Sequence, residues 1–286
     1  MKRIFCFILA VLICCQFAGC KASVDPNGYP VTVGEVVLNE KPTKIAVTSK
    51  ALKSAMELLG FGAVTVDATA VFLSGVGDLT GGSDEIDVVL TNEDLYPQQK
   101  KVLQGAGVPV IKLKLPETLD EMRIYWETLG RISNGNKGAM VATAYFDRFF
   151  SELEGLKKVT ETTAVVLYDK EYCAVSGLAV EALKAAGYKN VAEEKDVKMT
   201  PERLKDIEPE YIFIQSGLKE EFMLDDNFKT LVAVANLQVF EIDVIGMGFG
   251  TQKLFSEIKY MNSVAPVDEL YESSVSDSSV SSDTDG

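Results

Sequence analysis

The stretch Lys137–Lys158 sets the strongest limit on what this chain can fold into. It contains no proline and, between Ala139 and Glu154, no glycine, while Val141, Tyr145, Phe149, Leu153 and Leu156 recur at helical spacing. At about 1.5 Å per residue the segment predicts a helix roughly 33 Å long. A crossover between neighbouring parallel strands needs less. The flanking sequence must therefore be organised around a long connector.

On both sides of it, strand-like and helix-like runs alternate. Before it, Lys44–Thr48 reads as a buried strand, Lys50–Leu59 as a helix closed by Gly60, and Val64–Asp67 as a second strand. Ile86–Leu90 is a third strand, Pro97–Gln104 a helix with proline in its first turn, and Val108–Leu113 a fourth strand. Thr118 and Glu121 have capping-box spacing and open a helix to about Ile132. After the connector, Thr163–Tyr168 is a strand, Leu178–Ala186 a helix followed by Gly187, and Thr200-Pro201 caps a helix that stops before Pro209. Tyr211–Gln215 and Gln238–Ile242 are strands separated by a helix around Phe228–Val234, and Thr251–Met261 is the last helix. The halves match in kind and order, down to a helix, a glycine and an aromatic residue at Gly60-Phe61 and at Gly187-Tyr188. The expected fold class is α/β: two Rossmann-like lobes with parallel sheets, residues 29–136 and 159–263, joined by one long α-helix at 137–158.

The two ends have a different character. Lys2 and Arg3 precede twelve apolar residues, Ile4 to Cys15, and then the small-residue stretch Ala18-Gly19-Cys20. Twelve residues span about 18 Å as a helix, too short for a bilayer and suited to a secretory leader at 1–20. Residues 21–28 read as a polar linker. Glu272–Gly286 holds seven serines and four acidic residues, with two valines as its apolar content. Residues 264–286 are expected to form an acidic, serine-rich disordered tail, because such a segment cannot bury enough surface to offset its ordering entropy.

Composition excludes several kinds of chemistry. The 286 residues include no histidine, which removes serine-histidine and cysteine-histidine nucleophiles and histidine-ligated zinc or haem. A net charge of −14 argues against nucleic acid, and loss of Lys2 and Arg3 with a leader makes the chain more acidic still. Of five cysteines, only Cys173 lies beyond Cys20. No disulfide is expected within the exported domain, and without an imidazole Cys173 reads as a small buried or strand-end residue. Gly246-Met247-Gly248-Phe249-Gly250 lacks the third glycine of a dinucleotide-binding loop, and too little chain follows for the βαβ unit such a loop requires. No enzyme activity and no cofactor are expected.

Several fragments carry a family resemblance. Tyr29-Pro30-Val31-Thr32-Val33 followed by Lys41-Pro42-Thr43-Lys44-Ile45-Ala46-Val47, then Leu129-Gly130-Arg131, then Ala186-Gly187-Tyr188-Lys189-Asn190-Val191-Ala192, and finally Thr200-Pro201-Glu202-Arg203-Leu204 with Glu208-Pro209-Glu210-Tyr211 occur in a fixed order. The set resembles the substrate-binding proteins of ABC importers that serve cobalamin, ferric siderophores and haem, over Tyr29 to Met261. Phe17-Ala18-Gly19-Cys20 resembles the lipobox of bacterial lipoproteins, with Phe17 where an aliphatic residue is usual; an ordinary leader with an incidental Cys20 is the other reading. The resemblance implies an extracytoplasmic, membrane-anchored monomer, lipidated at Cys20, that delivers a metal chelate to an ABC permease. It implies a docking glutamate on each lobe. Glu202 matches in the second lobe, where it also suits a helix dipole, and Glu85 is the candidate in the first, where Val76–Ile86 is shorter than the family pattern. A surface lipoprotein of the same fold that binds a protein or glycan is the alternative.

Ligands of open parallel sheets lie beyond the carboxyl ends of the strands. The candidate lining is therefore Thr48, Ser49, Lys50, Thr91, Asn92 and Tyr96 in the first lobe, with Tyr168, Tyr172, Gln215, Ser216 and the stretch Asp243 to Met247 in the second; each also has a reading as a cap or an ordinary loop residue. The tyrosines suit a bulky amphipathic ligand. Arg123, Arg131, Arg148 and Arg203 all fall on expected helices, which disfavours a highly anionic chelate and favours a hydroxamate-type siderophore or a corrinoid. Haem would need ligation by Tyr, Met or Cys. Trp126 is expected to lie away from the cleft, and the connector to limit lobe motion.

Overall fold

The computed structural model describes residues 28–65, 86–159 and 161–266. The expectations at Cys20, at Glu85, for the leader, and for 267–286 lie outside the described residues. Within them the chain opens with an antiparallel pair, β1 (Val31–Val33) and β2 (Val36–Leu38), and then builds two α/β lobes.

In the first lobe β3 (Ile45–Val47), α1 (Lys50–Leu58), β4 (Val64–Thr65), β5 (Val88–Thr91), α2 (Pro97–Gly105) and β6 (Val110–Lys112) give a sheet in the order β4-β3-β5-β6. The second lobe contains β7 (Thr163–Leu167), α4 (Leu178–Ala185), β8 (Lys189–Asn190), α5 (Pro201–Ile207), β9 (Tyr211–Gln215), α6 (Lys219–Leu224), α7 (Val232–Ala235) and β10 (Val239–Ile242), with the sheet order β10-β9-β7-β8. Every pairing in the two sheets is parallel. Counted from the start of each lobe, both orders are second, first, third, fourth.

The matching helix ends have one cause. Gly60 and Gly187 adopt φ of 75° and 98°, a region that favours glycine. This lets the next residue's amide reach back five residues, Phe61 to the Met56 carbonyl at 2.8 Å and Tyr188 to that of Leu183 at 3.1 Å.

Between the lobes lies α3, Leu119–Ser151, capped by the Thr118 hydroxyl. It is two helical segments with a reversal at Asn134 and Gly135, whose dihedrals are not helical. The segments fold back alongside each other: Arg123 pairs with Asp147 at 3.2 Å, and Trp126 meets Phe146 edge to face with ring centres 5.8 Å apart. At the closest approach a Cβ on Gly130 would collide with the Gly138 carbonyl, and one on Gly138 with that of Gly130. The connector ends at Ser151, short of the expected Lys158, because the chain tightens into turns whose amides reach back three residues, Leu153 to Phe150 and Glu154 to Ser151. Leu153 and Leu156 still pack on the core from this irregular segment, so their helical spacing outlasts the helix.

Strand alternation assigns each sheet two interiors. Ile45, Val47, Val88 and Leu90 of the first lobe, and Ala164, Val166, Tyr211 and Phe213 of the second, share one continuous cluster with Trp126, Leu129 and Phe146 of α3. Their strand neighbours face outward into separate clusters, Ala46 and Val89 in one and Val165, Leu167, Ile212 and Ile214 in the other. At roughly 1.5–3 kcal/mol per buried large aliphatic or aromatic side chain, the shared cluster is a major source of cohesion between the lobes. The second lobe finishes with α8 (Val244–Met247) and α9 (Gln252–Ser263), and Ala265 beyond α9 is buried in the shared core, so the packed domain extends past the expected start of the tail at 264. No helix among the described residues is long and apolar enough to cross a membrane.

Candidate functional site

The strand order makes a switch point in each lobe. From β3 the chain steps to β4 on one side and then to β5 on the other, and from β7 it steps likewise to β8 and then β9. The crevice beyond the first and third strands is where such sheets bind ligands. The segments that follow the last strand of each sheet meet: Pro116, four residues beyond β6, sits against Gly250, in the segment that follows β10 and α8. Trp126 donates from Nε1 to the Gly250 carbonyl at 2.7 Å, closing the junction beneath them. Its ring is fully buried there.

At the first switch point, Ser49 and Asn92 meet. The Ser49 hydroxyl caps α1, accepting from the Leu52 amide at 3.1 Å, and donates to Asn92 Oδ1. Asn92 Nδ2 donates to the Leu113 carbonyl at 2.9 Å. One side chain thus ties the ends of β3, β5 and β6. Thr48 and Ser49 are half-buried and Lys50 is exposed, with Tyr96 standing 71% exposed at the start of α2. Thr91 is a correction to the expected lining: it is buried, and its hydroxyl is spent locally, donating to the Glu93 carbonyl at 2.9 Å and accepting from the Glu93 amide at 3.2 Å.

At the second switch point the chain makes a short excursion after β7. Asp169 Oδ1 accepts from the amides of Glu171 and Tyr172 at 2.7 and 2.8 Å, and the Tyr168 amide donates to the Tyr172 carbonyl at 2.9 Å. The turn leaves Tyr168 and Tyr172 39% and 45% exposed. Lys170, between them, is held by Glu221 and Asp225 at 2.8 and 2.9 Å. Ser216 is exposed beyond β9, and Gln215 Oε1 accepts from the Ile245 amide at 3.0 Å, so that side chain positions the loop after β10. Met247 is the second correction: it is fully buried in the shared core, because the one-turn helix α8 rotates it inward and leaves Ile245 exposed in its place.

Tyr125 belongs to this region, and the sequence reading did not single it out. It lies on the first segment of α3 and lines a recess of about 220 Å³ with Leu113, Leu115, Pro116 and Ile124. Its hydroxyl is buried with the Asn92 side chain beside it, and no hydrogen bond of full geometry is in place. Burial pushes its pKa up to about 12, and the neighbouring Asn92 side chain opposes that rise. An aromatic residue at helical spacing on a buried helix looks like core, so only its polar tip could have marked it.

The arginines supply no free cation to the cleft. Among the described residues, Arg123 pairs with Asp147, Arg131 with Glu127, and Arg203 with Asp196 through two hydrogen bonds of 2.7 and 2.9 Å, while Arg148 lies 5.8 Å from the Phe149 ring centre. The described residues contain no cluster of acidic or cysteine side chains able to hold a metal ion. Cys173 is buried beside β7, and burial, with Asp196 adding to it, raises its thiol to about 12. Glu202 is exposed on the first turn of α5.

No protein-family model matches the chain, and no curated protein matches it. Solved structures do. A possible iron-binding (periplasmic solute-binding) protein from Staphylococcus epidermidis is similar at TM-score 0.62 with 16% identity, covering 78% of this chain and 98% of that one. The periplasmic heme-binding protein HutB of Vibrio cholerae is similar at TM-score 0.62 with 13% identity, over 77% and 98% of the two chains. An ABC-type Fe3+-hydroxamate transport system protein from Saccharomonospora viridis is similar at TM-score 0.62 with 16% identity, over 82% and 98%. The fold of this chain is that of the two-lobed periplasmic binding proteins, in agreement with the expected class.

Proposed function

We propose that the chain is an extracytoplasmic substrate-binding protein of an ABC importer, which captures a small metal chelate between its lobes and delivers it to a permease. The observation that carries this reading is the same strand order in both lobes, which gives each a switch point, one presenting a Ser49–Asn92 pair and the other the exposed Tyr168 and Tyr172. The likeness to binding proteins named for haem and ferric hydroxamate supports it. With every described arginine engaged, the cleft suits a neutral or cationic chelate, a hydroxamate-type siderophore or a corrinoid, whose metal arrives already wrapped. Thr48, Ser49, Lys50, Asn92, Tyr96, Tyr168, Tyr172, Gln215 and Ser216 remain the ligand-side candidates, with Ile245 from the stretch Asp243 to Met247. Glu202 and Glu85 are the docking carboxylates, and Cys20 carries the lipid that holds a monomer at the membrane.

Mass spectrometry of what copurifies with the protein tests this directly. A chelate that leaves when Tyr168 and Tyr172 are both changed to Ala, with thermal stability unchanged, is the expected result. Tight binding of ferric tri-catecholates alone would overturn the charge preference. Retention of a protein or glycan in place of any small molecule would overturn the transport reading.

A further inference from the structure

Beyond β7 the chain adds a small antiparallel extension to the second sheet. Leu167 pairs with Cys173 across the hairpin, and Tyr172 pairs on its other side with Lys198, in the segment that leads to α5. Backbone hydrogen bonds hold both pairings. The Ala174 amide donates to the Val166 carbonyl at 2.8 Å and that of Tyr168 to Tyr172 at 2.9 Å, while Cys173 donates to Val197 at 3.0 Å and Met199 to Glu171 at 2.6 Å. This register sets Tyr168 opposite Tyr172 and Tyr172 opposite Lys198, in one row across three strands. Residues so placed share a face, and the other face carries Leu167, Cys173 and Met199, which are buried. Cα spacings in such ladders alternate between roughly 5.5 and 4.5 Å, so the row runs about 10 Å.

All three members of the row are exposed. Lys170 on the same hairpin is taken by Glu221 and Asp225. Lys198 is held far less firmly: 3.9 Å separates it from Glu171, and both side chains stand about two-thirds in solvent, at 69% and 66% exposure. A pair of that kind contributes little and yields readily to a better partner. We propose that Lys198 is a ligand-binding residue of the second lobe, and that the Tyr168–Tyr172–Lys198 row takes a chelate with a flat macrocyclic face and an anionic oxygen at its rim. The two rings cover the face, and the ammonium meets the rim oxygen in a charge-assisted hydrogen bond. One ammonium suits one such oxygen, in a ligand that is neutral overall as readily as in an anion. A corrinoid phosphodiester and a porphyrin carboxylate share this chemistry. A hydroxamate siderophore, whose charged oxygens are spent on its metal, lacks it. The inference rests on the function proposed above and narrows its ligand class.

Titrations with cyanocobalamin, haemin and ferrioxamine B test the row. One of the two macrocycles should bind the wild type, and which one does tells the phosphodiester from the carboxylate. Lys198→Met keeps the length of the side chain and removes its charge, and should weaken that macrocycle ~10-fold or more. The difference should shrink as salt screens the contact. Lys195→Met removes the same charge from an exposed lysine of the same segment that lies off the row, and should leave the affinity unchanged. Unchanged affinity in Lys198→Met, or an equal loss in Lys195→Met, overturns the proposal. So does failure of both macrocycles to bind the wild type. In that case binding of ferrioxamine B leaves the transport reading standing, whereas a copurifying protein or glycan in place of any small molecule removes both.

Discussion

The Trp126 indole and the Gly250 carbonyl, 124 residues apart in the chain, share a 2.7 Å hydrogen bond at the junction of the two lobes. Trp126 also contacts Phe146, Phe149 and Phe255, so one side chain joins both segments of α3 to α9. Trp126→Phe keeps most of the apolar contact and leaves the Gly250 carbonyl without its donor. The variant should lose about 1–3 kcal/mol of stability, measured by guanidinium denaturation followed by circular dichroism, since the chain's sole tryptophan is gone.

The reversal in α3 depends on two missing side chains. Gly130→Ala or Gly138→Ala forces backbone against backbone and should destabilise by about 3 kcal/mol. Gly155→Ala, where an added methyl meets nothing within 4 Å, is the control and should be neutral. Thermal unfolding of the three variants side by side distinguishes a packing requirement from a general intolerance of alanine.

Stability should fall in alkali. Burial raises Cys173 and Tyr125 to about 12 and pushes Tyr188 higher. Each group holds its proton more tightly folded than unfolded, where thiols titrate near ~8.5 and phenols near ~10. Their contributions are therefore complete below those values and are lost as pH climbs towards the folded ones. The native thiol should also resist a disulfide reagent at pH 8 and react only after denaturation.

The pairing of Asp196 with Arg203 gives the opposite sign. The Arg203 hydrogen bonds, with help from the Glu193 amide, hold the nearly buried Asp196 carboxyl below its usual range. Its stabilisation is present above the unfolded carboxylate value and disappears as pH falls through the folded one. Arg203→Ala should lower the melting temperature more than Arg131→Ala does, because Arg131 pairs with the more exposed Glu127. The gap should narrow as Asp196 becomes protonated in acid.

How much of this was legible follows from where the constraints lie. Tyr211–Gln215 is found as expected because a run of buried apolar residues between Pro209 and Gly217 has few other conformations. The connector is misjudged at its end because Leu153 and Leu156 satisfy the same core from turns as they would from a helix. Lys219–Leu224 has too few residues to show a period, although it buries Phe222, which stacks on Phe228 at 4.3 Å between ring centres. At the strand ends, position in the sequence finds that Ser49, Asn92, Tyr168 and Tyr172 follow strands but cannot say which neighbours turn inward. Thr91 and Met247 do, and Tyr125 is supplied by a helix on which strand-end reasoning is silent.

The close passage of Gly130 and Gly138 has a consequence for how the chain tolerates insertion and deletion. One residue added or removed beyond the reversal would turn everything after it by about 100° around the second helical segment. Phe146 and Phe149 would leave the rings of Trp126 and Phe255, and the second sheet would be delivered at the wrong angle to the first. Among functional relatives of this chain, the number of residues between these glycines and the end of α3 should therefore vary less than the residues themselves.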